Sequence, residues 1–192
     1  MESLFVSTGA VALAEIGDKT QLLAFLLATR FNKPVPIIAG ILVATILNHA
    51  LAGALGAWIT AVLSPEVLRW ILGLSFLGMA VWTMIPDKIE EEEMQVARKF
   101  GVFGATLITF FLAEMGDKTQ IATVAMAAHY AQPLMVVAGT TLGMLIADVP
   151  AVFAGDKLAS RIPMKLVHGI AAGIFALLGV ATLLGAGSRW GL

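Results

Sequence analysis

The chain has 192 residues, 59% of them hydrophobic and only 13% charged, with a mean hydropathy of +0.91, far from the roughly 45–50% apolar content of a soluble domain. A formal net charge of −1 without any basic stripe gives no reason to expect a nucleic-acid partner. The absence of cysteine excludes disulfides and thiolate metal sites and leaves oxygen and imidazole as metal ligands.

Residues 4–29 form a first apolar run, interrupted by Glu15, Asp18 and Lys19, and read as one spanning helix; no basic segment of signal-peptide type precedes it. A basic turn, Arg30 to Pro34, leads to a second run over 35–63 with Asn48 and His49 near its centre. Ser64-Pro65-Glu66 is the signature of a helix start, with Ser as cap and Pro in the first turn. A third run covers 67–86, with Trp70 and Trp82 near its ends, where amphipathic rings prefer the headgroup level.

The hydrophilic stretch from Asp87 to Lys99, containing Glu90 to Glu93, reads as a solvated linker between two halves. Beyond it come a fourth run (101–128) with Glu114, Asp117 and Lys118, a fifth (133–155) with Asp148 and Pro150, a polar loop from Asp156 to Lys165, and a sixth (166–187). Each run is long enough for a hydrocarbon core of about 30 Å.

A shift of 99 residues, from Glu15 to Glu114, superposes the halves without a gap: Pro34 meets Pro133, Gly40 meets Gly139, His49 meets Asp148, Phe76 meets Phe175, and Thr83 meets Thr182. The chain reads as an internal duplication, with repeats at 1–86 and 101–192 and an acidic linker at 87–100. Three crossings per repeat invert the second repeat relative to the first. The expected fold class is therefore an all-α membrane protein of six transmembrane helices, arranged as two inverted three-helix repeats. Arg30, Lys33, Lys88, Arg98, Lys99, Lys157, Arg161 and Lys165 lie on one face against Arg69 and Arg189 on the other. This bias predicts a cytoplasmic central loop and both termini outside.

The motif Glu-x-Gly-Asp-Lys-Thr-Gln occurs twice, at Glu15–Gln21 and Glu114–Gln120. A charge at membrane depth costs roughly 2.5–3.5 kcal/mol on insertion scales, so six of them need partners or a use. On a continuous helix, Glu15, Asp18 and Lys19 share a face, as do Glu114, Asp117 and Lys118. Gly17 and Gly116 are points where the helix can loosen and free carbonyl oxygens. The two stretches are read as one cation site, with Glu15, Asp18, Glu114 and Asp117 as candidate metal ligands, Thr20, Gln21, Thr119 and Gln120 as additional oxygens, and Lys19 and Lys118 balancing charge. Such oxygens suit Mn²⁺, Ca²⁺ or Mg²⁺. Four carboxylates and two ammonium groups sum to −2, which one divalent cation or two protons neutralise, the charge logic of an antiporter.

Alternatively, each motif holds an internal Glu–Lys pair and binds nothing. Asn48, His49 and Asp148 are candidates for supporting the ligands or relaying protons, against an equal case for plain helix contacts. Ser7, Thr8, Thr106 and Thr109 are expected to bond back to their own helices; His129 and His168, near run ends, are expected at the interface. Two other functions compete: export of small organic cations such as basic amino acids, which the motif lysines disfavour, and a metal-dependent intramembrane enzyme such as a polyprenyl-diphosphate phosphatase, which would need arginines near the motifs to hold phosphates.

The doubled motif in a twice-three arrangement resembles the GDT-type cation/proton antiporters (uncharacterised protein family 0016), whose pattern of Glu, apolar residue, Gly, Asp, Lys or Arg, Thr or Ser is matched at every position by Glu15–Thr20 and Glu114–Thr119. The family includes a eukaryotic Golgi Ca²⁺/Mn²⁺ transporter and a bacterial manganese exporter. The resemblance implies a transporter without a prosthetic group, in which the two Glu and two Asp ligate the transported cation. It further implies Mn²⁺ efflux against protons, Ca²⁺ being inseparable by ligand type, from a multi-pass protein of the bacterial inner membrane. Protons, the divalent cation and membrane lipid are the implied partners, and a homodimer is compatible with it.

Overall fold

The computed structural model describes residues 1–85, 100–154 and 164–185. The expected linker with Lys88, Glu90 to Glu93, Arg98 and Lys99, much of the loop with Lys157 and Arg161, and Arg189 lie outside the described residues. Among the described residues the structure is all-helical: α1 (Glu2–Glu15), α2 (Lys19–Phe31), α3 (Pro34–Val62), α4 (Pro65–Trp82), α5 (Gly101–Glu114), α6 (Lys118–Tyr130), α7 (Pro133–Ala154) and α8 (Met164–Leu183).

Four of these, α3, α4, α7 and α8, are long and apolar enough to cross a membrane. The α3 helix has the inside-out pattern such a helix requires. Leu47, Leu51, Leu55, Trp58 and Val62 form an exposed apolar stripe, while Thr45, Asn48 and His49 are buried. Polar side chains thus face the bundle, and the outward face is hydrocarbon. Proline opens α3 and α4 at a first-turn position, where its missing N–H costs nothing. Ser64 occupies the position before α4 as expected, but its hydroxyl makes no capping hydrogen bond.

The reading of 4–29 and 101–128 as single spanning helices is corrected. Each run is two half-helices of 13 or 14 residues. At 1.5 Å per residue such a piece is about 20 Å long, too short to cross alone. Both breaks fall at the motif glycine. Gly17 takes φ 85° and Gly116 φ 75°, conformations that glycine adopts without penalty.

The two halves interlock. The α3 helix packs against α5 and α6 of the second half, α7 packs against α1 and α2 of the first, and α3 and α7 pack on each other. The crossings depend on matched glycines. A Cβ at Gly40 would sit 2.7 Å from Thr106 Cβ and 2.9 Å from the Phe103 carbonyl, and one at Gly139 would sit 2.6 Å from the Leu4 carbonyl. This close approach brings each broken helix onto the long helix of the other repeat and sets the two motifs face to face.

Candidate cation site at two helix breaks

Each motif is built the same way. Glu15 is the last residue of α1; Ile16 leaves the helix with ψ 115°, and Asp18 is extended at the start of α2. In the second copy Glu114 ends α5, Met115 has ψ 119°, and Asp117 precedes α6. The expected single helix face carrying Glu, Asp and Lys therefore does not exist. Glutamate and aspartate belong to different half-helices and are brought together by the turn between them.

The turn is held by its own motif residues. The Asp18 N–H donates to the Glu15 carbonyl at 3.0 Å, and Asp117 N–H to Glu114 at 3.1 Å. Gly17 N–H donates to Gln21 Oε1 at 2.9 Å, and Gly116 N–H to Gln120 Oε1 at 2.8 Å. Each glutamine then reaches the other repeat with its amide group. Gln21 Nε2 donates to the Ala147 carbonyl at 2.9 Å; Gln120 Nε2 donates to Asn48 Oδ1 at 3.4 Å, and Asn48 Nδ2 to the Phe111 carbonyl at 3.1 Å. Both glutamines thus fasten the breaks to α7 and α3.

The threonines orient the glutamates. Thr20 Oγ1 donates to Glu15 Oε2 at 2.6 Å and Thr119 Oγ1 to Glu114 Oε2 at 2.9 Å. Oε1 of each glutamate is left buried without a hydrogen-bond partner among the described residues. Burying an unpaired ionised oxygen is costly, so such an atom needs a cation or a proton. Carboxylate oxygens of Glu15, Glu114 and Asp117 lie within 4.8 Å of one another, all three side chains being buried. Asp18 is also buried but outside this triplet, next to Lys118.

The lysines pair between repeats and not within them: Lys118 Nζ lies 3.3 Å from Asp18 Oδ1, and Lys19 Nζ 3.9 Å from Asp117 Oδ1. The internal Glu–Lys pair considered from spacing is replaced by two crossed Asp–Lys pairs. The half-helix ends add to the field, since α1 and α5 turn their negative C-terminal ends toward the site.

Asp148 and His49 are fully buried, with both carboxylate oxygens and both ring nitrogens lacking a hydrogen-bond partner among the described residues. Asp148 is within Coulombic reach of Asp18, Glu15 and Glu114, which makes it a fifth acidic group of the same charge cluster. The hydroxyls of Ser7, Thr8, Thr106 and Thr109 bond back to Ser3, Leu4, Val102 and Ala105 of their own helices, as expected.

Of the two histidines expected near the membrane interface, His168 is buried and His129 is half-buried at the end of α6. His129 lies edge-on to Phe76 at 5.8 Å and to Tyr130 at 4.8 Å, with Nδ1 3.3 Å from the Thr182 hydroxyl. His168 reaches the first helix break, its Nε2 2.9 Å from the Ile16 carbonyl. Sequence reasoning missed this contact. The signal for it was the 99-residue shift, which matches His168 with Arg69, another donor.

A model of the family described as "Divalent cation/proton antiporter GDT1" matches residues 3–91 and again 102–190. A Vibrio cholerae protein named "Putative manganese exporter" is 53% identical over 95% of this chain and 90% of its own length. The rice (Oryza sativa) GDT1-like protein 3 is 31% identical over 91% of this chain and 71% of its own, and the Arabidopsis thaliana GDT1-like protein 5 is 28% identical over 90% and 91%. No solved structure matches the chain. Each of the two matches contains one of the helix breaks, and the chain belongs to the GDT1 family of divalent cation/proton antiporters, as a multi-pass membrane protein.

Proposed function

We propose that this protein exports Mn²⁺ from the cytoplasm in exchange for protons, through one mid-membrane site shared by its two motifs. The observation that carries the reading is the convergence of Glu15, Glu114 and Asp117 within 4.8 Å, with Oε1 of each glutamate left without a hydrogen-bond partner among the described residues. The name of the Vibrio cholerae relative supports the choice of Mn²⁺.

In this reading α1 with α2 forms one crossing and α5 with α6 another, so that six crossings make two inverted repeats, 1–86 and 101–192, joined by the linker at 87–100. On the same reading the linker is cytoplasmic and both termini lie outside, in a bacterial inner membrane, which the excess of basic residues on one face supports. Glu15, Glu114 and Asp117 ligate the cation, with Asp18 completing the charge from beside Lys118. Gln21, Gln120, Thr20 and Thr119 hold the ligands in place.

Coupling follows from charge. Four carboxylates and two ammonium groups sum to −2, and the cluster crosses between its two openings only when neutralised by one Mn²⁺ or by protons. Asp148 is the proposed carrier of a further proton that does not compete for the cation's oxygens, with His49 as relay.

The test is Mn²⁺ uptake and internal pH followed together in proteoliposomes. Opposite movement of Mn²⁺ and protons, lost in Glu15→Gln and in Glu114→Gln, is expected. Mn²⁺ movement without protons would remove the coupling; no movement of Mn²⁺ with intact Ca²⁺ exchange would change the cargo.

A further inference from the structure

We propose that His168 and Arg69 are alternate latches of the transport cycle. His168 ties the α4–α8 pair to the Ile16 carbonyl in the state described, and Arg69 ties it to the Met115 carbonyl in the opposite-facing state. The proposal rests on the antiport reading above, in which a duplicated molecule reaches its second state by exchanging the surroundings of its two repeats.

The two halves do not have equal surroundings. The α4 and α8 helices pack on each other and, as a pair, against α1 and α6; they make no comparable packing with α2 or α5. In an inverted pair α1 and α6 are the half-helices on one side of the site, and α2 and α5 those on the other. The pair therefore covers one side. Residues matched by the 99-residue shift record it: Ala127 and Ala128 of α6 are buried, whereas Ala28 of α2 is half-buried and Thr29 exposed. Leu13 of α1 is half-buried and its counterpart Leu112 of α5 exposed.

The latch residues show the same imbalance. Ile16 and Met115 are matched positions, each with a carbonyl turned out of its helix by the break. Ile16 is half-buried, with His168 at 2.9 Å, whereas Met115 is 57% exposed. Arg69, the counterpart of His168, has an enclosed Nε without a hydrogen-bond partner among the described residues, and its guanidinium lies 6.0 Å from the ring of neighbouring Trp70. Both side chains are donors, and both carbonyls end a half-helix, where the dipole favours a donor or cation.

A second matched pair repeats the pattern farther along. The Thr182 hydroxyl meets His129, while its counterpart Thr83 has a buried hydroxyl without a partner among the described residues, and Arg30, the counterpart of His129, is exposed. With the basic loops in the cytoplasm, the covered side is the outer one. The state described is then open to the cytoplasm, where an exporter takes up its cation.

The chain has no cysteine, so paired cysteines report each state cleanly. Thr182→Cys with His129→Cys marks the present state, and Thr83→Cys with Arg30→Cys marks the other. Oxidative cross-linking of both pairs is followed in proteoliposomes. His168→Ala is expected to shift the balance about fivefold toward the Thr83/Arg30 cross-link, the weight of one hydrogen bond; Arg69→Ala is expected to shift it oppositely, and His168→Gln, which keeps a donor, to stay nearer the parent protein. Loss of both cross-links alike in the two alanine variants would reduce His168 and Arg69 to structural residues and overturn the proposal. Absence of any Thr83/Arg30 cross-link in protein that exchanges Mn²⁺ for protons would overturn it too. Opposite shifts without Mn²⁺ flux would support the latches while removing the proposed cargo.

Discussion

Replacing Glu114 by Gln removes one charge and almost no volume, and its effect on stability should have opposite signs without and with cation. Glu114 is fully buried, with Oε2 accepting from Thr119 and a carboxylate oxygen within 4.8 Å of those of Glu15 and Asp117. Two full like charges at that separation repel by about 3.5 kcal/mol at an effective dielectric constant near 20. Shared protons and the nearby lysines absorb much of this, which leaves a gain of about 1–2 kcal/mol when one charge is removed. For a chain of this size that is a rise in Tm of about 2–8 °C in the cation-free protein. The wild type should gain about 2.7 kcal/mol from Mn²⁺ at a hundredfold excess over Kd, and the variant little. The assay is thermal unfolding in detergent, followed by tryptophan fluorescence, with chelator and with Mn²⁺. A variant less stable than wild type in chelator, yet still protected by Mn²⁺, would refute a shared carboxylate site.

The crossed lysine pairs should be unequal. Lys118 is buried and 3.3 Å from Asp18, so Lys118→Met should cost about 3–5 kcal/mol in cation-free protein, as removal of one partner from a buried pair does. Lys19 is 17% exposed and 3.9 Å from Asp117, and Lys19→Met should cost about 1 kcal/mol; chelator melts of the two variants compare them directly. Asp148→Asn should leave Mn²⁺ binding intact but lower the number of protons released per cation, measured by calorimetry in two buffers of different ionisation enthalpy.

The duplication and the two clusters of charge within apolar runs were legible because both are properties of the chain itself: a gapless shift, and six charged residues inside those runs. What the motif residues do was only partly legible. The spacing of Glu15, Asp18 and Lys19 implies a shared face only while the helix continues, and it ends at Gly17, whose φ of 85° is a backbone choice that the identity of glycine allows without dictating. Thr20 and Thr119 could be counted as oxygens, but a hydroxyl is donor and acceptor alike; here it donates to a glutamate, and so selects which carboxylate oxygen is left over. Gln21 and Gln120 likewise spend their carbonyl oxygens on the glycine amides. The partners of Lys19, Lys118 and His168 lie about 100 to 150 positions away, beyond the reach of any local spacing argument.

The two crossed pairs also bear on how a cation site survives a change of access. In a two-fold arrangement Lys19–Asp117 and Lys118–Asp18 would be equal, yet the second is shorter and more enclosed. The covered side belongs to α6, which begins at Lys118, so the inequality has the same sense as the packing of α4 and α8. On the latch reading the opposite state exchanges these roles, with Lys19 enclosed and Lys118 exposed. The threonine partners of Glu15 and Glu114, at 2.6 and 2.9 Å, belong to their own motifs and on the same reading stay with them in both states. The outer pairs therefore change with access while the glutamate oxygens at the centre do not. A carrier needs that separation, because a cation held much more tightly in one state than in the other would stop the cycle there.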